Sequence, residues 1–128
     1  MSGASDYLEN ELLDHVFRNS AYTPAATVYV GLYTAAPTDA GGGTEVSTGS
    51  YARTAVTFGA ASGGSINNSG AVTFPTASGS WGTITHFGIF DASTAGNLLA
   101  WNAVTASKTV GNGDTASFAI AALVVQLD

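Results

Sequence analysis

Beyond residue 27 the apolar residues recur at every second position in short runs, and clusters rich in Gly, Ser, Asn and Pro break each run. This alternation marks strands with one face inward and one outward, and it rules out a helical body. Thr27–Thr34 sets Val28, Val30 and Leu32 on one face and Tyr29 and Tyr33 on the other. Tyr51–Phe58, Gly63–Asn68, Gly70–Phe74, Thr83–Phe90, Asn97–Thr105 and a short Ser107–Val110 read as further strands. Asp91–Gly96 and Gly111–Asp114 carry the Asp, Asn and Gly of tight turns. Ala35–Ser50 and Pro75–Gly82 read as loops, the first long enough to be exposed and to carry contacts. Thr115–Leu127 is the most continuous apolar run and is expected to be a central strand. The pattern predicts a mainly β chain, an antiparallel sandwich or barrel of about seven or eight short strands. No repeat of solenoid or propeller length is visible.

One segment departs from that period. Over residues 6–18, Leu8, Leu12, Leu13, Val16 and Phe17 recur at helical spacings, while Glu9, Asn10, Glu11, Asp14 and Arg18 fall mainly off that stripe. Asp6 with Glu9 fits a capping box, and Ser5 competes as the cap. Pro24 stops the helical pattern from returning. The expected division is a helix and connector over residues 1–26 and a β-sandwich domain over 27–128. A helix of about 13 residues is marginal alone, so it must dock in cis on the β domain or in trans on a neighbour.

Charge narrows the function. Only 9% of the 128 residues are charged, with nine acids against three bases, Arg18, Arg53 and Lys108. Three scattered cations cannot form the basic stripe that nucleic acid requires, and anionic membrane surfaces are disfavoured for the same reason. Neither a secretory leader nor an apolar membrane span is expected. The absence of cysteine removes disulfides, thiolate zinc sites and cysteine nucleophiles. The polar positions are mostly Thr, Ser, Asn and Gly, with 16 Thr, 13 Ser and 16 Gly. A surface this short of charge suits a chain packed against copies of itself or a larger lattice. A homo-oligomer, with a trimer as the expected state, is therefore predicted.

The residues that do chemistry elsewhere are present but not grouped. Glu11, Asp14 and His15 share a helix flank, which in water needs no metal to explain it. His86, with Asp91 as a conceivable orienter, reads better as a hydrogen-bonded sheet histidine than as a general base. Gly41–Gly43 lacks the Lys-Ser/Thr of a phosphate loop, no Gly-x-Ser-x-Gly elbow surrounds Ser78 or any other serine, and Asp39, Glu45, Asp91 and Asp114 lie in separate turns. No catalytic residue, cofactor site or metal site is expected. Tyr29, Tyr33, Tyr51, Trp81 and Trp101 could stack on a glycan, although aromatic pairs on a sheet face more often serve core or interface. The interface residues expected are Leu8, Leu12, Val16, Phe17, Tyr29, Tyr33 and Trp81, with Leu12 and Phe17 as the anchors.

Seven stretches together carry a resemblance: Tyr7–Asn19, Tyr22–Gly43, Tyr51–Phe58, Gly70–Phe74, Trp81–Asp91, Gly96–Leu98 and Gly113–Phe118. Over nearly its whole length the chain resembles a family of small tailed-bacteriophage virion structural proteins, commonly labelled phage tail-fibre proteins. The resemblance implies a virion structural role without catalysis, in a protein assembled in the cytoplasm of a bacterial host, and it fixes no address in the particle. At this length, without repeats, the chain is too short for a long fibre. The expectation is a capsid decoration, or cement, protein that contacts itself and virion partners such as the major capsid protein. The alternative is a tail-fibre or tail-tip module mediating host attachment.

Overall fold

The computed structural model describes residues 3–127 as ten strands and one helix. In chain order these are β1 (Gly3–Ala4), α1 (Asp6–Phe17), β2 (Val28–Ala35), β3 (Thr44–Glu45), β4 (Thr54–Val56) and β5 (Ser65–Asn67), followed by β6 (Val72–Thr73), β7 (Gly82–Phe90), β8 (Leu98–Val110), β9 (Ser117–Phe118) and β10 (Val124–Gln126). The chain is mainly β and antiparallel with one N-terminal helix, as the alternation predicts, and no barrel closes. Several strands are only two or three residues long, which is why there are more of them than the pattern indicates.

The main sheet runs β1-β8-β7-β2-β3, and β4 shares the outer edge of β2 with β3. Two small ribbons, β10–β5 and β6–β9, form the rest. The buried cluster joins the two parts: Val30, Leu32, Ile84 and Phe87 come from the sheet, and Val72 and Leu123 from the ribbon segments. Phe74 meets Trp81 and Phe118 edge-on at centroid distances of 6.5 and 6.2 Å. Such edge-to-face contacts add to the hydrophobic gain of burial.

Three sequence expectations change. Thr115–Leu127 is not a central strand: it breaks into β9 and β10, and β7 and β2 occupy the centre of the sheet. The alanines between its two halves are exposed, and Ala121 takes φ 67 in a turn. Apolar composition without bulk gives such a run too little to bury. Asn97–Thr105 and Ser107–Val110 fuse into the single strand β8, with an irregularity where Ile84 pairs with Lys108 and His86 with Ala103. That bulge also lets Ile84 and Phe87, three residues apart, both reach the core. The 35–50 loop is exposed at its Gly42–Gly43 tip, but its later part returns as β3, and Val46 is buried with its N–H donating to the Leu32 carbonyl (2.9 Å).

The second face of the sheet has its own logic. Gly31 and Gly88 face each other across β2 and β7. A Cβ at Gly31 would come within 2.7 Å of a Glu45 carboxylate oxygen, and one at Gly88 within 2.9 Å of the Tyr33 ring. The bare backbone lets Tyr33, Phe90 and the Glu45 carboxylate lie flat over the sheet.

Candidate functional site

Helix α1 is held at its base and free at its tip. Ser5 is the N-cap: its Oγ accepts from the Leu8 N–H (3.2 Å) and donates to the Leu98 carbonyl. The Ser5 N–H donates to the Leu99 carbonyl (2.8 Å), and the Asp6 N–H to the Asp39 carbonyl (2.9 Å). Of the two caps the sequence offers, the one buried against β8 wins. β1, just ahead of it, pairs with β8 at Trp101 and Ala100. Tyr7 and Leu8 pack on the core. Toward the C-terminus the helix leaves the β body, and Leu13, Val16 and Phe17 are 54%, 66% and 78% exposed. Spacings of three and four make them neighbours on one surface. Asn19, at φ 56, turns the chain away, and the Tyr22 N–H donates back to His15 Nδ1 (3.1 Å). Arg18 pairs with Asp14 at 3.3 Å.

The seven expected interface residues therefore fall into different settings. Val16 and Phe17 are exposed together at the helix tip. Leu8 and Leu12 are half-buried on the helix, and Tyr29 is half-buried on β2. Tyr33 and Trp81 are inside the chain, each 4% exposed. Trp81 donates its indole N–H to the Gly49 carbonyl (2.9 Å), and Tyr33 stacks on Phe90 at 6.3 Å. Leu13, part of the apolar stripe but not among the expected contacts, belongs to the exposed set. Its helical spacing is the signal that could have found it.

The aromatic residues do not form a sugar-stacking platform. Trp101 is also buried and donates to Asp39 Oδ1 (2.9 Å), and Tyr51 lies edge-on to Trp81 at 5.4 Å.

The polar clusters secure loops. Arg53 forks onto Glu45 through Nε and Nη2, both at 2.9 Å, and lies 3.5 Å above the Phe90 ring. Its Nη1 donates to the Ala92 and Ala95 carbonyls. The β3 segment and the β7–β8 turn thus meet on one guanidinium, whose planar fork suits this better than an ammonium would. The Tyr51 hydroxyl donates to Glu45 (2.6 Å) and accepts from the Leu32 N–H (3.0 Å). Burial, then the Glu45 hydrogen bond, pushes this hydroxyl far above the usual tyrosine range. Burial, with help from the Glu45 charge, pushes Tyr33 up to about 12.

The remaining titratable groups are dispersed. His86 hydrogen-bonds the Thr85 hydroxyl (2.9 Å) and tilts against Trp101 at 5.8 Å, and burial pushes its pKa down. Both carboxylate oxygens of Asp91 are engaged by Asn97, at 2.7 and 2.9 Å, which closes the β7–β8 hairpin. An open groove of about 380 Å³ lies between β8 and the start of the closing segment, lined by Ile84, Val104, Val110 and Phe118. Its titratable lining residues are Lys108 and Asp114, and Asp114 caps the adjoining turn by accepting from the Gly111 N–H (2.8 Å). Among the described residues no three His, Cys, Asp or Glu side chains group as metal ligands would. Among them, too, no helix is long and apolar enough to cross a membrane.

Short antiparallel sheets, polar clusters committed to holding loops and an apolar helix tip turned to solvent define a structural module. The family model for the podophage GP4 fiber I protein gp80 matches residues 3–126, and the chain belongs to this family. It is thus a phage fibre structural protein, and a phage fibre protein is a virion component. The match backs the tail-fibre alternative over capsid decoration. No curated protein matches the chain.

Proposed function

We propose that this chain is a non-enzymatic component of a phage tail fibre, joined to another virion protein through the tip of helix α1. The observation that carries the reading is the exposed triplet Leu13, Val16 and Phe17 on a helix whose base is fixed in the sheet by Ser5. Large apolar groups left in water beside a well-formed core are characteristic of contact surfaces. Burying each would contribute about 1.5–3 kcal/mol, and repetition around a particle turns modest contacts into avidity. The chain associates with copies of itself through its β body, where neutral Ala, Ser and Thr predominate, and a trimer is the expected state. It acts without cofactor, metal, nucleic acid or membrane.

Electron microscopy of virions with an antibody against the chain tests this reading. Label confined to tail fibres is the expected result. Label spread as a regular lattice over the capsid would return the chain to a decoration role, and unlabelled virions would remove it from the particle.

A further inference from the structure

We infer that the α1 tip docks into an apolar groove rimmed by Lys or Arg on a different protein, and not onto a second copy of this chain. The inference rests on the attachment reading above and adds the chemistry of the partner. Leu13, Val16 and Phe17 form the apolar contact at spacings of three and four, the arrangement of a helix laid in a groove. The same twelve-residue helix carries Asp6, Glu9, Glu11 and Asp14. Only Arg18 offsets them at this end, and it is already paired with Asp14. The helix C-terminus is the exposed end, where the backbone dipole adds further negative character. Glu11 faces Tyr7 on the other side of the helix, but Glu9 and Asp6 stand four and seven residues before Leu13 on the face of the triplet, so an apolar contact backed by acids and a negative helix end calls for a cationic rim.

A second copy offers only one uncommitted cation for that rim. The chain has three cations in all. Arg18 sits on the tip itself, Arg53 is committed to Glu45 and two carbonyls, and the exposed Lys108 is a single cation in a groove whose lining also carries the acid Asp114. Bringing two tips together sets acid against acid in a molecule of net charge −6. A foreign basic rim instead steers association and selects against self-pairing.

The test uses particles that lack the chain and the full-length protein added back. A photo-crosslinking residue at Leu13, which is exposed, reports what the tip touches. The crosslink is expected to join a different virion protein at a segment containing Lys or Arg. The double change Val16→Ser with Phe17→Ser should lower particle occupancy by about tenfold or more, as loss of central apolar anchors does, with the melting temperature unchanged. Asp6→Asn with Glu9→Gln should weaken binding about severalfold at low salt, and raising the salt should erase that difference because screening removes the attraction. A crosslink to a second copy, or neutralised acids that bind as well as or better than wild type, overturns the inference and leaves the attachment reading standing. Wild-type chain that does not bind the particles at all overturns both.

Discussion

Asn68 is a fully buried polar side chain that ties the ribbons together. Its Nδ2 donates to the Gly70 and Ala119 carbonyls at 2.8 and 3.0 Å, and its Oδ1 accepts from the Leu123 N–H at 2.9 Å. The sequence shows Asn68-Ser69-Gly70 as a turn. It cannot show the bond spanning 51 residues to Ala119, because only the fold makes those segments neighbours. Asn68→Asp, nearly isosteric, sets a carboxylate against two carbonyl oxygens. It should destabilise the chain by about 3 kcal/mol or more, and by more than Asn68→Ala, because it buries a charge as well as losing donors. Urea denaturation of the three chains at neutral pH measures this. The tyrosines give a second outcome at this scale. The folded pKa of Tyr33 is raised to about 12 from an ordinary value of 10, so the fold favours its protonated form. Its contribution to stability is complete below about pH 10 and is lost as pH rises toward about 12. Tyr51 shifts in the same direction. The melting temperature should therefore fall steeply above about pH 10, and Tyr33→Phe, which removes one of these ionisations, should make the fall shallower.

At the scale of elements, the helix was legible and its division was not. The apolar period marks residues 6–18, and α1 covers Asp6–Phe17. Which apolar residues point inward depends on where the helix meets β8, and β1 at Gly3–Ala4 is too short to show any period. The half-buried residues Leu8 and Leu12 and the exposed residues Leu13, Val16 and Phe17 all look alike in a one-dimensional pattern. The same limit explains the closing segment: an Ala-rich run scores as apolar, yet it breaks into turn and ribbon for lack of bulk. Central strands β2 and β7 were legible as strands because Val, Leu, Ile and Phe recur there at short spacing, but the bulge that brings Ile84 onto the face of Phe87 was not. The divided helix predicts an asymmetry between two truncations. Leu8→Ala should cost about 2 kcal/mol and lower the melting temperature by about 5–8 °C. Phe17→Ala, at a position 78% exposed, should shift it by less than about 2 °C. Calorimetry of the isolated chain checks both.

For the whole molecule, charge and structure divide the same way. Residues 54–90 contain no Asp, Glu, Lys or Arg, and they run from β4 through β7. Five of the chain's charged residues lie within residues 6–18, on the helix and its C-cap. A β body sparse in charge and a charge-dense, apolar-tipped helix suit a small fibre component that packs closely with its own kind and reaches outward to something else. Attachment through helix α1 requires a tip that is unpartnered in the free chain and covered in the particle. A helix this short gains little from its own hydrogen bonds, so its last turn should open readily until it is docked. Hydrogen exchange of the amides of Leu13–Phe17, measured in the free chain and again in purified virions, tests this most directly. Fast exchange is expected in the free chain and strong protection in virions, with β2 and β7 amides protected in both. Protection of Leu13–Phe17 already complete in the free chain, or fast exchange persisting in virions, would contradict it.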